Sequence, residues 1–191
     1  AMDPMELRLL NVTSKGLRRA DGVTNGVIGA RATMEAVKYH PHYQSPLEGI
    51  NTGRGISMGF CRNNTGPSCV IANVISNGSI TLIEGSPDIG GTRTSVSQQL
   101  AEALGLSIDS IIPQIGDTET IGYTSATGGS GVTFKTGWAA YEAAQDIKRQ
   151  FIQRAAKIWD VDKSDIEYIN GTLQHKSDPE LKMSFGRMAS L

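Results

Sequence analysis

Two glycine-rich loops carry the residues of this chain best suited to chemistry. The first is Gly85-Ser86-Pro87-Asp88-Ile89-Gly90-Gly91-Thr92-Arg93-Thr94. The second begins at Gly116-Asp117-Thr118 and resumes at Thr127-Gly128-Gly129-Ser130-Gly131-Val132-Thr133. Glycine lets backbone approach a ligand closely, and each loop runs into a predicted helix start, where free N–H groups and the helix dipole favour an anion. Both end in hydroxyl residues (Thr92, Thr94, Ser130 and Thr133) able to donate to phosphate or pterin oxygens. Together they read as the two halves of a cradle for a phosphorylated cofactor.

No reaction centre accompanies the cradle. The histidines are His40, His42 and His175. The first two lie in a proline loop without a cysteine or carboxylate at metal-ligand spacing, which argues against a metal site. No Gly-x-Ser-x-Gly nucleophile turn occurs, and neither loop has the Gly-Lys-Ser/Thr of nucleotide hydrolases. Asp88, Asp117 and Glu119 lie in or beside the loops. Asp88 and Asp117 are expected to shape turns by accepting from nearby backbone N–H groups rather than to act as acid or base. Arg93 reads equally as an anion partner or a surface residue. The expectation is a binding surface with no catalytic residue and no metal ligand of its own.

The elements that must hold these loops are legible from pattern. Ile28–Tyr39 reads as a helix ended by His40-Pro41, and 41–53 as loop. Ile56, Met58 and Phe60 alternate with Ser57, Gly59 and Cys61, predicting a strand. Turned at 63–67, it would face Phe60 to Val70, Met58 to Ala72 and Ile56 to Val74, and would set Cys61 opposite Cys69, as two reduced thiols. Asn77-Gly78 predicts a hairpin into 79–84, completing an antiparallel meander with Ile80 and Leu82 on the face of Ile71 and Ile75. A helix follows, with Val96, Leu100, Ala103 and Leu104 on its stripe, a capping box at Ser95 and Gln98, and Gly105 at its end. With a strand at 108–115 it forms a β-α-β unit. A long helix is predicted over Val132–Trp159, then strands at 166–169 and 172–175 joined by Asn170-Gly171, and a helix opening at Ser184. The fold class is therefore α+β: an antiparallel meander, a β-α-β unit and a long helix.

With 191 residues the chain can bury one sizeable core. Lys and Arg total 18 against 19 Asp and Glu, a net charge of −1 that argues against non-specific nucleic-acid binding. No apolar run reaches the roughly 18 residues needed to cross a bilayer, and no leader is read at the start. Two cysteines make no disulfide framework, so a cytoplasmic protein is expected. Residues 1–5 read as a cloning scar, 6–53 as a connector with a short helix, and 54–191 as the main domain.

The ordered set of motifs resembles the molybdopterin-binding large subunit of the xanthine dehydrogenase/aldehyde oxidase family, the molybdenum hydroxylases. The matching pieces are 53–60 (Gly-Arg-Gly-Ile-Ser-Met-Gly-Phe), 85–94, 101–105 (Ala-Glu-Ala-Leu-Gly), 116–118, 127–133 and Gly137, with 7–11 similar to the entering segment. The resemblance implies a molybdenum–molybdopterin cofactor, an oxidoreductase hydroxylating a carbon with oxygen from water, and iron–sulfur and flavin subunits or domains as electron partners. It assigns cofactor contact to Gly90, Gly91 and Thr92 of the first loop and to Gly129, Ser130, Gly131, Val132 and Thr133 of the second. Where the family carries Gly-Gln-Gly, this chain has Ile89-Gly90-Gly91, without the glutamine that meets the metal centre. The family's upstream Phe-Arg-Gly-Phe-Gly segment and its catalytic glutamate near the C-terminus find no counterpart. The expectation is a partial cofactor domain, truncated at both ends, inactive alone and without its cofactor, whose partners are the rest of the large subunit and, through surface exposed by the truncation, a second copy in a homodimer. The alternative is a stand-alone anion- or nucleotide-binding or assembly module with no catalysis.

Overall fold

The computed structural model describes residues 2–60 and 63–191. It divides into two compact units, Ala1–Phe60 and Cys61–Leu191.

In the first unit, α1 (Pro4–Asn11), α2 (Ala30–Lys38) and α3 (Pro41–Gln44) surround a small core of Met5, Leu9 and Met34. Asp3 caps α1, its carboxylate accepting from the Met5 and Glu6 amides, and Pro4 occupies the first helical turn. This helix lies where the sequence reads as scar and connector. Residues 54–60 form no strand, so the first strand of the predicted meander, carrying Ile56, Met58 and Phe60, is not made. Gly53, Gly55 and Gly59 explain the loss: glycine in a strand supplies no side chain to pack and costs more chain entropy. The proposed facing of Cys61 and Cys69 falls outside the described residues; Cys69 itself is half-buried.

The second unit holds the glycine loops. β1 (Val70–Val74) pairs antiparallel with β2 (Ile80–Glu84), and β2 pairs parallel with β3 (Ile111–Ile115) across α4 (Thr92–Leu104). The hairpin at Asn77-Gly78 forms, but with three loop residues. Ile75 N–H donates to Ser79 O, Gly78 N–H donates to Ile75 O, and Gly78 takes the left-handed φ of 86°. One extra residue in the turn flips the parity of everything after it. Val74 therefore faces Ile80 and Ala72 faces Leu82, and β2 turns Ile80, Leu82 and Glu84 toward the helices rather than toward the Ile71 face.

α4 lays Val96, Leu100 and Leu104 on that sheet face, and α5 (Val132–Trp159) adds Ala140, Ala144 and Ile147. α4 starts at Thr92, with Gly91 as its cap, three residues before the expected capping box, so Ser95 lies inside the helix. The Gly90-Gly91 pair, with φ of 61° and 82°, turns the chain sharply into α4, a conformation glycine alone takes readily. Small residues bring α4 and α5 close: a Cβ on Gly137 would lie 1.7 Å from Gln99 Oε1.

β4 (Ile166–Ile169), β5 (Thr172–His175) and β6 (Lys182–Ser184) make a second antiparallel sheet, followed by α6 (Phe185–Ala189). The Asn170-Gly171 turn has both residues at positive φ, as a two-residue hairpin requires. Tyr168 donates its hydroxyl to Leu104 O at 2.7 Å, and burial pushes its titration well above the ordinary tyrosine range. No helix among the described residues is long and apolar enough to cross a membrane.

Candidate functional site

The two glycine loops meet. Ile89, Gly90 and Thr92 of the first and Thr127, Gly128, Ser130, Gly131, Val132 and Thr133 of the second line one cleft of about 470 Å³. Of the eight predicted contact residues, six border it. Gly91 caps α4 beside the cleft, and Gly129 directs its carbonyl to the Asn64 amide at 2.8 Å.

The halves differ in what they offer a ligand. α4's first amides are already engaged. Thr92 N–H reaches Ile89 O, Arg93 N–H donates to Asp88 Oδ1 at 3.1 Å, and Thr94 and Ser95 donate to Gly91 O. The Thr92 hydroxyl accepts from the Ile89 amide. At α5 the Val132, Thr133 and Phe134 amides have no acceptor among the described residues, the ordinary state of a helix start without a side-chain cap. Ser130, at φ 53°, and Thr133 add exposed hydroxyls beside those amides. Donor capacity in the cleft is thus concentrated on the second loop.

The carboxylates take the turn-shaping parts expected of them. Asp88 accepts from Arg93 N, and Asp117 Oδ1 accepts from Glu119 and Thr120 amides at 2.9 Å each. Arg93 lies 3.5 Å from Asp88, a pairing of two partly exposed groups. His40 and His175 use Nδ1 to accept nearby backbone amides.

Beneath the loops lies a layer of buried polar residues that the sequence reading missed. Thr136 and Ser86 are fully buried; their hydroxyls lie 2.6 Å apart, and Thr136 also meets Ser68 Oγ at 2.9 Å. This shared hydroxyl ties the first loop to α5. Thr136→Val should cost about 2 kcal/mol in urea unfolding, because it strands the buried Ser86 hydroxyl and takes a partner from the half-buried Ser68 hydroxyl; an unchanged midpoint would remove the tie. Lys135 is buried too, its ammonium donating to Ser125 O, Ser125 Oγ and Ala126 O at 2.8 Å each. Glu84 is 1% exposed, and its Oε1 is the one buried side-chain polar atom among the described residues with no hydrogen-bond partner. Burial, reinforced by the nearby Asp88 carboxylate and opposed by Arg93, pushes its pKa up to about 7. The signal for Glu84 was strand parity with Ile80 and Leu82. For Lys135 and Thr136 it was their place on the buried stripe of α5.

Space around the second loop is tight. A Cβ on Gly131 would lie 2.2 Å from Asn64 O, so only glycine fits where the loop enters α5.

A family model described as "Molybdopterin cofactor-binding domain" matches residues 32–191. Among solved structures, carbon monoxide dehydrogenase from Oligotropha carboxidovorans is 28% identical, with a TM-score of 0.61 over 65% of this chain. The Cu,Mo-CO dehydrogenase in its carbon monoxide reduced state gives the same values. Quinoline 2-oxidoreductase from Pseudomonas putida 86, at 20% identity and a TM-score of 0.55 over 64% of the chain, shares the fold. The match spans 16% of the length of each of these proteins.

Proposed function

Because this chain belongs to the molybdopterin cofactor-binding domain family, we propose that its glycine-loop cleft forms part of the pterin-cofactor site of a molybdenum hydroxylase of the xanthine dehydrogenase/aldehyde oxidase type. The observation that carries this reading is the cleft itself, where both loops converge and Val132 and Thr133, whose α5 amides are unclaimed, line it together with Ser130. These groups suit the phosphate and carbonyl oxygens of a pterin cofactor: all are donors, and the helix start adds partial positive charge. Ser130, Gly131, Val132 and Thr133 would hold the anionic part. Gly90, Gly91, Thr92 and Gly129 would close the cleft by backbone and hydroxyl contact.

When bound, the cofactor supplies hydroxylation of a carbon with oxygen from water. The chain's own part is to bind and orient it. The first loop, with glycine where the family has glutamine, would bring no glutamine side chain to the metal. The remainder of the large subunit, with iron–sulfur and flavin subunits or domains, completes the enzyme in this reading, and the isolated chain turns over no substrate. A cytoplasmic location accompanies it.

Calorimetric titration of the chain with inorganic pyrophosphate tests the cleft. Binding is expected, weakened by added salt and abolished by Ser130→Asp, which sets a negative charge against the free amides. No binding at millimolar pyrophosphate, or an indifferent Ser130→Asp, would sink the assignment. ATP binding far tighter than pyrophosphate would favour a stand-alone nucleotide module instead.

A further inference from the structure

Adjacent residues on the first turns of α5 hold different loops. Thr136 holds the first loop through Ser86, and Lys135 holds the second through Ser125 and Ala126. We infer that Lys135 is the positioning residue of the second glycine loop, its buried ammonium latching residues 125–126 onto α5 so that Ser130–Thr133 border the cleft.

The placement of this lysine has no explanation in helix stability. A cation in the first turn sits at the positive end of the helix dipole, which opposes it. Burying a charge is costly unless its hydrogen bonds are all made. Here they are: three oxygens accept from the three ammonium donors, each at 2.8 Å. No carboxylate among the described residues lies within ion-pair distance of it. The latched segment is short and otherwise thinly held. Ser125 N–H donates to Pro67 O, Gly131 N–H to Gly128 O, and Gly129 O accepts from Asn64. Without the ammonium, Ser125 O, Ser125 Oγ and Ala126 O would lose the group that gathers them. Its charge, with no anion beside it, also adds to the positive potential of the α5 start and so favours an anionic ligand; this second effect rests on the cleft reading above.

Site-resolved hydrogen exchange on the full chain tests the latch without any ligand. In Lys135→Met the amides at 125 and 131 should exchange about tenfold faster or more, since charge-assisted bonds are lost, while Ile147 in the middle of α5 stays unchanged. Lys135→Arg, which keeps charge and donors, should recover part of the protection. Ser125→Ala, which removes one of three acceptors, should loosen the same amides by about threefold. Unchanged protection at 125 and 131 overturns the inference, as does faster exchange spread evenly along α5. If Lys135→Met does not fold, Ser125→Ala decides: loosening confined to the loop supports the latch, and none overturns it. Pyrophosphate affinity should fall about tenfold in Lys135→Met, the loss of one charged interaction. Wild-type chain that binds no pyrophosphate would sink the cleft reading alone, leaving the exchange result to judge the latch.

Discussion

Glu84→Gln is expected to stabilise the chain by about 3 kcal/mol above pH 7 and to leave it nearly unchanged at pH 4, by linkage between folding and protonation. The folded carboxyl titrates at about 7, against an ordinary value of 4.5. Below 4.5 both folded and unfolded chains hold the proton, so the group is neutral to stability. Between 4.5 and 7 the unfolded chain releases it while the folded chain keeps it, and stability falls as pH rises. Above 7 the folded chain carries a buried carboxylate whose Oε1 has no partner, and the loss is complete. Glutamine copies the shape of the protonated acid and cannot ionise. Urea unfolding at pH 4, 6 and 8 should therefore give a falling series for wild type and a flat one for the variant. Parallel series would mean that Glu84 ionises freely in the folded state. Asp88→Asn should flatten the wild-type slope in part, since its charge is the second cause of the shift.

Gly105→Ala should cost about 3 kcal/mol, summing a left-handed backbone penalty and the displacement of packed backbone. Gly105 ends α4 at φ 64°, and a Cβ there would lie 2.5 Å from Asn170 Cα and 2.8 Å from Asn170 C. The obstacle is backbone at the β4–β5 turn, which cannot rotate away like a side chain. Gly90→Ala is the internal comparison: its φ is similar, at 61°, but a Cβ there meets nothing within 4 Å. It should cost about 1 kcal/mol from conformation alone. Equal losses for the two variants in chemical unfolding would remove the packing argument.

Much of the helical framework was legible because its signals are local. The helix predicted over Val132–Trp159, with Ala140, Ala144, Ile147, Phe151, Ala155 and Ile158 at helical spacing along one face, forms with those bounds. Gly105 marked the α4 end, and Asn170-Gly171 marked the second hairpin. The strand at 54–60 and the cap at Ser95 were misread because alternation and capping patterns also arise by chance. Three glycines outweighed the alternation, and Gly91 starts α4 before Ser95 can cap it.

The sequence by itself determined the donor chemistry of the cleft, since glycine, serine and threonine at helix starts offer amides and hydroxyls wherever the chain goes. It also determined that both loops end in helices. Only the tertiary structure decided what lies beneath them. A turn of three residues rather than two after Ile75 set the parity of β2 and put Glu84 inside. Packing of α5 against the sheet then buried Lys135 and Thr136 and assigned each its loop. Side-chain parity propagates along a whole strand from one residue in a turn, and that residue's conformation depends on contacts distant in sequence.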